Sequence, residues 1–270
     1  MGACCLSGSI HSGTPTGRED TIGGLPTYVA EPSDGSKAKT VVFITDIFGW
    51  KFKNVRLLAD QYAKAGFYCY IPDVQEGDSL PIELLQSIEP TLKSKEQEGL
   101  LDKAKETFDV MATLGPWLVK HREAVAEPII SGFINHLKTV AGTNKIGAIG
   151  FCWGGRYSIL QAHGRKEGEI GGVDAAYACH PSLLSIPADL APVTKPTSVA
   201  VGEKDSLLDL KSVEQLREAL EKTGAPTEVT IYKDQIHGFA LRGDWSSDAD
   251  KKAMDDAEKQ GIEWFKKYLS

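Results

Sequence analysis

Lys145-Ile146-Gly147-Ala148-Ile149-Gly150-Phe151-Cys152-Trp153-Gly154-Gly155 carries an apolar run straight into a cysteine flanked by glycines. Lys145 to Gly150 predicts a strand, and Arg156 to Ala162 opens the helix that follows it. A strand that turns sharply into a helix forces its turn residue into a strained conformation, and neighbouring chains crowd that turn. Glycines two positions before and two after Cys152 remove the side chains that would clash. This is the G-x-nucleophile-x-G spacing of a nucleophile elbow, with Cys where Ser is more usual. The turn sets the thiol at a helix N-terminus, whose partial positive charge favours the thiolate. The plain alternative is a buried structural cysteine beside packing glycines. Strand, turn and helix agree on the elbow, so Cys152 is read as the nucleophile.

Working outward, the same strand–helix rhythm appears on both sides. Thr40 to Thr45 is a continuous β-branched and apolar run, suited to a strand buried on both faces. Val55 to Ala65 has helical spacing and ends at Gly66; Phe67 to Ile71 is the next strand. Beyond the elbow, Gly172 to Ala178, Thr197 to Val201 and Glu228 to Tyr232 predict strands. Ile129 to Val140, Val213 to Lys222 and Asp250 to Leu269 predict helices. Strands alternating with helices through short links indicate an α/β fold, a doubly wound, mostly parallel sheet with helices on both faces. One domain is expected over residues 40–270. An arm, residues 1–39, precedes it and holds one short strand, Leu25 to Ala30. Gln75 to Pro128 breaks the rhythm with charged, polar helical sequence. It reads either as a solvated excursion or as a lid over a pocket.

Composition narrows the function classes. The 270 residues carry 30 basic and 37 acidic side chains, a formal charge of −7, with no basic patch for nucleic acid. Apolar runs such as Thr40 to Ile44 are of strand length and too short to cross a membrane. Five cysteines, an odd and uneven set, make no disulfide framework. The expectation is a cytoplasmic protein, monomeric in the absence of a long exposed apolar edge.

A cysteine nucleophile needs a base, and the base needs an acid to orient it. Asp205 lies just past the strand ending at Val201, and His237 follows the strand ending at Tyr232. Sites in open parallel sheets form outside the carboxyl ends of the strands, so Cys152, Asp205 and His237 converge on one edge. Asp209 and Asp234 are alternative acids. His180, which also follows a strand, is the rival base and otherwise a pocket wall or substrate contact. An oxyanion hole would use the Trp153 amide and one from the loop Asp46-Ile47-Phe48-Gly49-Trp50, whose Phe48 and Trp50 are further candidate substrate contacts.

Asp-Ile-Phe-Gly at 46–49, Pro72-Asp73, Gly-Phe-Cys-Trp-Gly-Gly at 150–155, Gly202-x-x-Asp205 and His237-Gly-Phe together resemble the dienelactone hydrolase (carboxymethylenebutenolidase) family. The resemblance runs from about Thr40 to the C-terminus. It implies an α/β-hydrolase fold, a Cys152–His237–Asp205 triad, and main-chain oxyanion donors at Ile47 and Trp153. The implied substrate is a small ester or enol-lactone, cleaved through a thioester without metal or organic cofactor. Bacterial members place a glutamate against the resting thiol; this chain has the shorter Asp46, which leaves direct contact with Cys152 open. Members acting on dienelactone hold its carboxylate with arginines, one just after the catalytic His-x-Phe; here Arg242 stands one residue late. The competing function is a catalytically silent hydrolase-fold protein that binds a small molecule. At the start, Met1-Gly2-Ala3-Cys4-Cys5-Leu6 resembles an acylation signal, except that Leu6 stands where Ser or Thr is wanted. Cys4, Cys5 and His11 match no usual zinc spacing, and a loosely docked arm is the simpler expectation.

Overall fold

The computed structural model of the chain describes residues 8–84 and 114–270. Eight strands, β1 (Arg18–Ile22), β2 (Leu25–Ala30), β3 (Lys39–Ile44), β4 (Tyr68–Pro72), β5 (Lys145–Phe151), β6 (Ala175–Cys179), β7 (Thr197–Gly202) and β8 (Thr227–Tyr232), form one sheet. Their order is β1-β2-β4-β3-β5-β6-β7-β8. β1 and β2 pair antiparallel, as do β2 and β4, and every pairing from β4 to β8 is parallel. The main helices are α1 (Lys53–Lys64), α2 (Glu123–Leu137), α3 (Trp153–Gln161), α4 (Leu210–Glu221) and α5 (Asp248–Tyr268).

Helices cover both faces, and the register proves it. Tyr70 of β4 pairs with Val42 of β3, so the neighbouring Phe43 points to the opposite face. Phe43 packs edge-on against Tyr62 of α1 at 5.3 Å, and Tyr62 meets Phe265 of α5. Tyr70 meets Phe133 of α2 at 6.1 Å, and α2 is tied to α3 by the Gln161 amide donating to Ser131 Oγ at 2.9 Å. Every residue of β6 and β7 is therefore buried, as expected of parallel strands between two helical layers. This is the α/β-hydrolase architecture.

The strand expected at Leu25 to Ala30 is β2, but the arm also supplies β1, which sequence reading did not anticipate. Ile22 pairs with Leu25 across Gly23-Gly24, both at positive φ, a two-residue hairpin turn. The sixth strand begins at Ala175 rather than Gly172. α2 begins at Glu123 and takes Pro128 into its second turn, so the excursion ends earlier than expected. The candidate lid is described only at 75–84 and 114–128; 85–113, like Cys4 and Cys5, lie outside the described residues. Among the described residues no helix is long and apolar enough to cross a membrane, and no cluster of three or more metal-ligating side chains occurs.

The arm docks firmly from Gly8 onward. Ser9 donates its amide to the Arg242 carbonyl at 2.9 Å. The Asn54 side chain accepts from the His11 amide and donates to the carbonyls of Ser9 and Leu241. His11 stacks on Trp245 with ring centres 4.4 Å apart and bonds to the Gly243 carbonyl through Nε2. The loosely docked arm is corrected for residues 8–11.

Candidate active site

Cys152 sits between β5 and α3 with φ +52° and ψ −115°, a backbone state that non-glycine residues rarely hold. A methyl group at Gly150 would overlap the Gly154 carbonyl, and one at Gly154 would overlap the Ile44 carbonyl. Both glycines are thus required by backbone-to-backbone approach, the cause inferred from their spacing. The Cys152 amide donates to the Cys179 carbonyl at 3.1 Å and its carbonyl accepts from Gly155 and Ser182. Its thiol is fully buried and lies 3.6 Å from Ser182 Oγ.

The turns after β7 and β8 bring Asp205 and His237 together. His237 Nδ1 lies 3.0 Å and 3.2 Å from the two Asp205 carboxylate oxygens, and both side chains are closed to solvent. Asp205 Oδ1 also accepts from the amides of Leu207 and Leu208, which fixes the carboxylate before it meets the ring. Burial pushes the His237 pKa down. The charge of the Cys152 sulfur and the hydrogen bond to Asp205 outweigh it and raise the imidazole to about 10. That sulfur is therefore within electrostatic reach of the ring. The alternative acids point elsewhere: Asp209 caps α4 through the Ser212 amide, and Asp234 pairs with Lys204 on the surface.

His180 also reaches this edge, with its ring 5.1 Å from His237 and turned edge-on. It is wholly buried, and neither ring nitrogen has a hydrogen-bond partner among the described residues. Burial, then the charges of His237 and Arg242, hold its pKa well below the ordinary value. It is a neutral imidazole with a donor and an acceptor unspent.

The loop after β3 lies alongside. Asp46 Oδ1 accepts from the Phe48 amide at 3.0 Å, while Oδ2 pairs with Arg242 Nε at 3.4 Å. Burial raises the Asp46 pKa to about 6, against the opposing charge of Arg242; the Cys152 charge adds to the rise. Asp46 and the Cys152 sulfur thus sense each other through charge. Arg242, expected to face a substrate carboxylate, has a fully buried side chain paired with Asp46 and set over the Phe48 ring at 5.4 Å. Trp50 turns to Arg56, whose guanidinium stacks on its ring at 4.9 Å. Ile47 lends its carbonyl to Leu80, and the Gln75 amide donates to the Asp46 carbonyl at 2.7 Å, so the excursion holds this loop from outside. Trp153 is the first residue of α3, where amides have no acceptor within the helix. Its indole meets Trp117 edge-on at 5.4 Å. Ser182, Gln75 and Trp117 were missed by sequence reading. Only Ser182, two residues past His180 at a strand end, left a trace there.

A buried carboxylate–imidazole pair beside a thiol on a strained strand-to-helix turn makes this sheet edge the candidate site of an α/β-hydrolase. Comparison narrows the class. The profile of the Dienelactone hydrolase family matches residues 25–269. Hydrolase pyvD of Aspergillus violaceofuscus is 28% identical over 266 residues, covering 98% of this chain and 96% of its own. The carboxymethylenebutenolidase homolog of Homo sapiens is 28% identical over 256 residues, covering 94% and 91%. The crystal structure of dienelactone hydrolase from Anabaena variabilis superposes with a TM-score of 0.63 at 18% identity, covering 96% of this chain and 100% of that one. The chain belongs to the dienelactone hydrolase family and is an ester or lactone hydrolase.

Proposed function

We propose that this enzyme cleaves a small ester or enol-lactone through a Cys152–His237–Asp205 triad and a thioester intermediate. The buried Asp205–His237 pair beside Cys152, itself held at φ +52°, is the observation that carries the reading. The thiolate attacks the substrate carbonyl while the amides of Ile47 and Trp153 hold the oxyanion. Collapse expels an enolate or alkoxide, which takes the His237 proton. His237 then draws a proton from water as it attacks the thioester, with Asp205 fixing the ring. Sulfur leaves a tetrahedral centre more readily than an amine, so amides are poor substrates, whereas enol and aryl leaving groups compete well. With Arg242 paired to Asp46, the acyl portion is not gripped by that guanidinium. Asp46 modulates the thiol through charge. His180 offers its unspent ring nitrogens to a polar atom of the substrate or to the hydrolytic water, and Phe48 serves as wall.

Hydrolysis of dienelactone and a panel of small aryl esters, by wild type beside Cys152→Ala, tests this. Wild type turns over at least one compound and the variant loses at least about a thousandfold. Activity surviving in the variant removes the nucleophile assignment. Wild type inert across the panel favours the silent binding protein.

A further inference from the structure

We infer that the Ser182 hydroxyl is a positioning group for the nucleophile, donating a hydrogen bond to the Cys152 sulfur whenever that sulfur carries charge. The inference rests on Cys152 being the nucleophile.

Ser182 Oγ lies 3.6 Å from Cys152 Sγ, and the two residues are 1% and 0% exposed. No other hydrogen bond engages this hydroxyl among the described residues. Buried hydroxyls are almost always partnered, and a thiolate, having no proton, can only accept. The pair must then be O–H···S⁻, a charge-assisted bond of the stronger kind.

The main chain fixes this geometry. Ser182 donates its amide to the Cys152 carbonyl at 3.0 Å, and the Cys152 amide donates to Cys179 at 3.1 Å. The last residue of β6 and the turn after it therefore grip Cys152 at both its amide and its carbonyl. Pro181 presses on α3 so closely that a methyl at Gly155 would come within 2.9 Å of its Cα. His180 and Leu183, on either side, have φ of +38° and +60°, strain of the kind retained where a turn must aim a side chain.

The chemistry uses the bond twice. At attack the S–C bond forms, the carbonyl π pair moves to oxygen, and sulfur gives up both its charge and its hold on Ser182. At deacylation water adds, the C–S bond breaks, and the electron pair returns to sulfur, where the hydroxyl receives it. Ser182 thus favours the resting thiolate and eases its departure, while taking no proton itself.

The test is iodoacetamide alkylation of Cys152 as a function of pH in wild type, Ser182→Ala and Ser182→Thr. Ala raises the alkylation midpoint by about one pH unit and slows alkylation below it about tenfold; Thr, which keeps the hydroxyl, restores both. With an aryl ester, Ala also shows a larger phenol burst and deacylation slower by about tenfold. An unchanged or lowered midpoint in folded Ala protein overturns the inference and leaves the nucleophile standing. Ester hydrolysis that survives Cys152→Ala overturns the nucleophile instead. The Raman S–H band, from wild type minus Cys152→Ala at a pH where the thiol is protonated, needs no Ser182 variant. A band shifted down by donation to Ser182 Oγ means the hydroxyl favours the neutral thiol, which also overturns the inference; an unshifted band supports it.

Discussion

Asp46 and Arg242 form an ion pair with no solvent on either side chain. Such pairs repay their desolvation poorly, and the Asp46 pKa of about 6, against an ordinary 3.8, records that cost. Because the folded state holds this proton more tightly than the unfolded chain, its contribution is complete below about pH 4 and lost as pH rises through 6. Urea denaturation of wild type and Asp46→Asn from pH 4 to 7 isolates it. The stability of wild type relative to the variant falls by about 3 kcal/mol over that window, then levels. A flat difference means the carboxyl titrates elsewhere. At this scale the sequence was uneven as a guide. Cys152 was legible because an elbow is a short-range steric pattern, and Asp205 and His237 because strand ends share one sheet edge. The pairing of Arg242 with Asp46 was not legible, because the two lie 196 positions apart and no local pattern records such a contact.

Among the elements, the glycines of β5 and α3 do opposite work from a glycine one helix away. Gly154 faces the Ile44 carbonyl with no room for a methyl, whereas Gly132 in α2 is exposed with open space around its Cα. Gly154→Ala lowers stability by about 1–3 kcal/mol through forced backbone movement and abolishes ester hydrolysis. Gly132→Ala raises stability by about 0.5–1 kcal/mol with activity unchanged, since alanine has less freedom to lose in a helix. Thermal melts and the ester assay together check the pair, and equal effects would undo the steric account. The central strands were readable because two helical layers demand unbroken apolar runs. β1 was not: Arg-Glu-Asp-Thr-Ile is almost wholly exposed at a sheet edge, where charge guards against further pairing. Only Gly23-Gly24 marked its hairpin.

For the whole molecule, the arm is the feature that ties distant parts together. Asn54 on α1 holds residues 9 and 11 on one side and Leu241, four residues past His237, on the other. Asn54→Ala strips three main-chain groups of partners, costing about 2–3 kcal/mol in urea denaturation. It also speeds tryptic cleavage at Arg18; arm protection equal to wild type would show that the His11–Trp245 stack suffices alone. His11, weighed from sequence beside Cys4 and Cys5 as a metal ligand, has its ring held by Gly243 and Trp245, a surface that exists only after those residues have folded. The bond between His11 and Gly243 spans 232 positions, so a ribosome that has made the arm must add most of the protein before the His11 ring has the surface it stacks on. Asn54 can catch the arm early, but the His11 ring closes only on residues 243–245, so its docking reports that the chain just past His237 is in place.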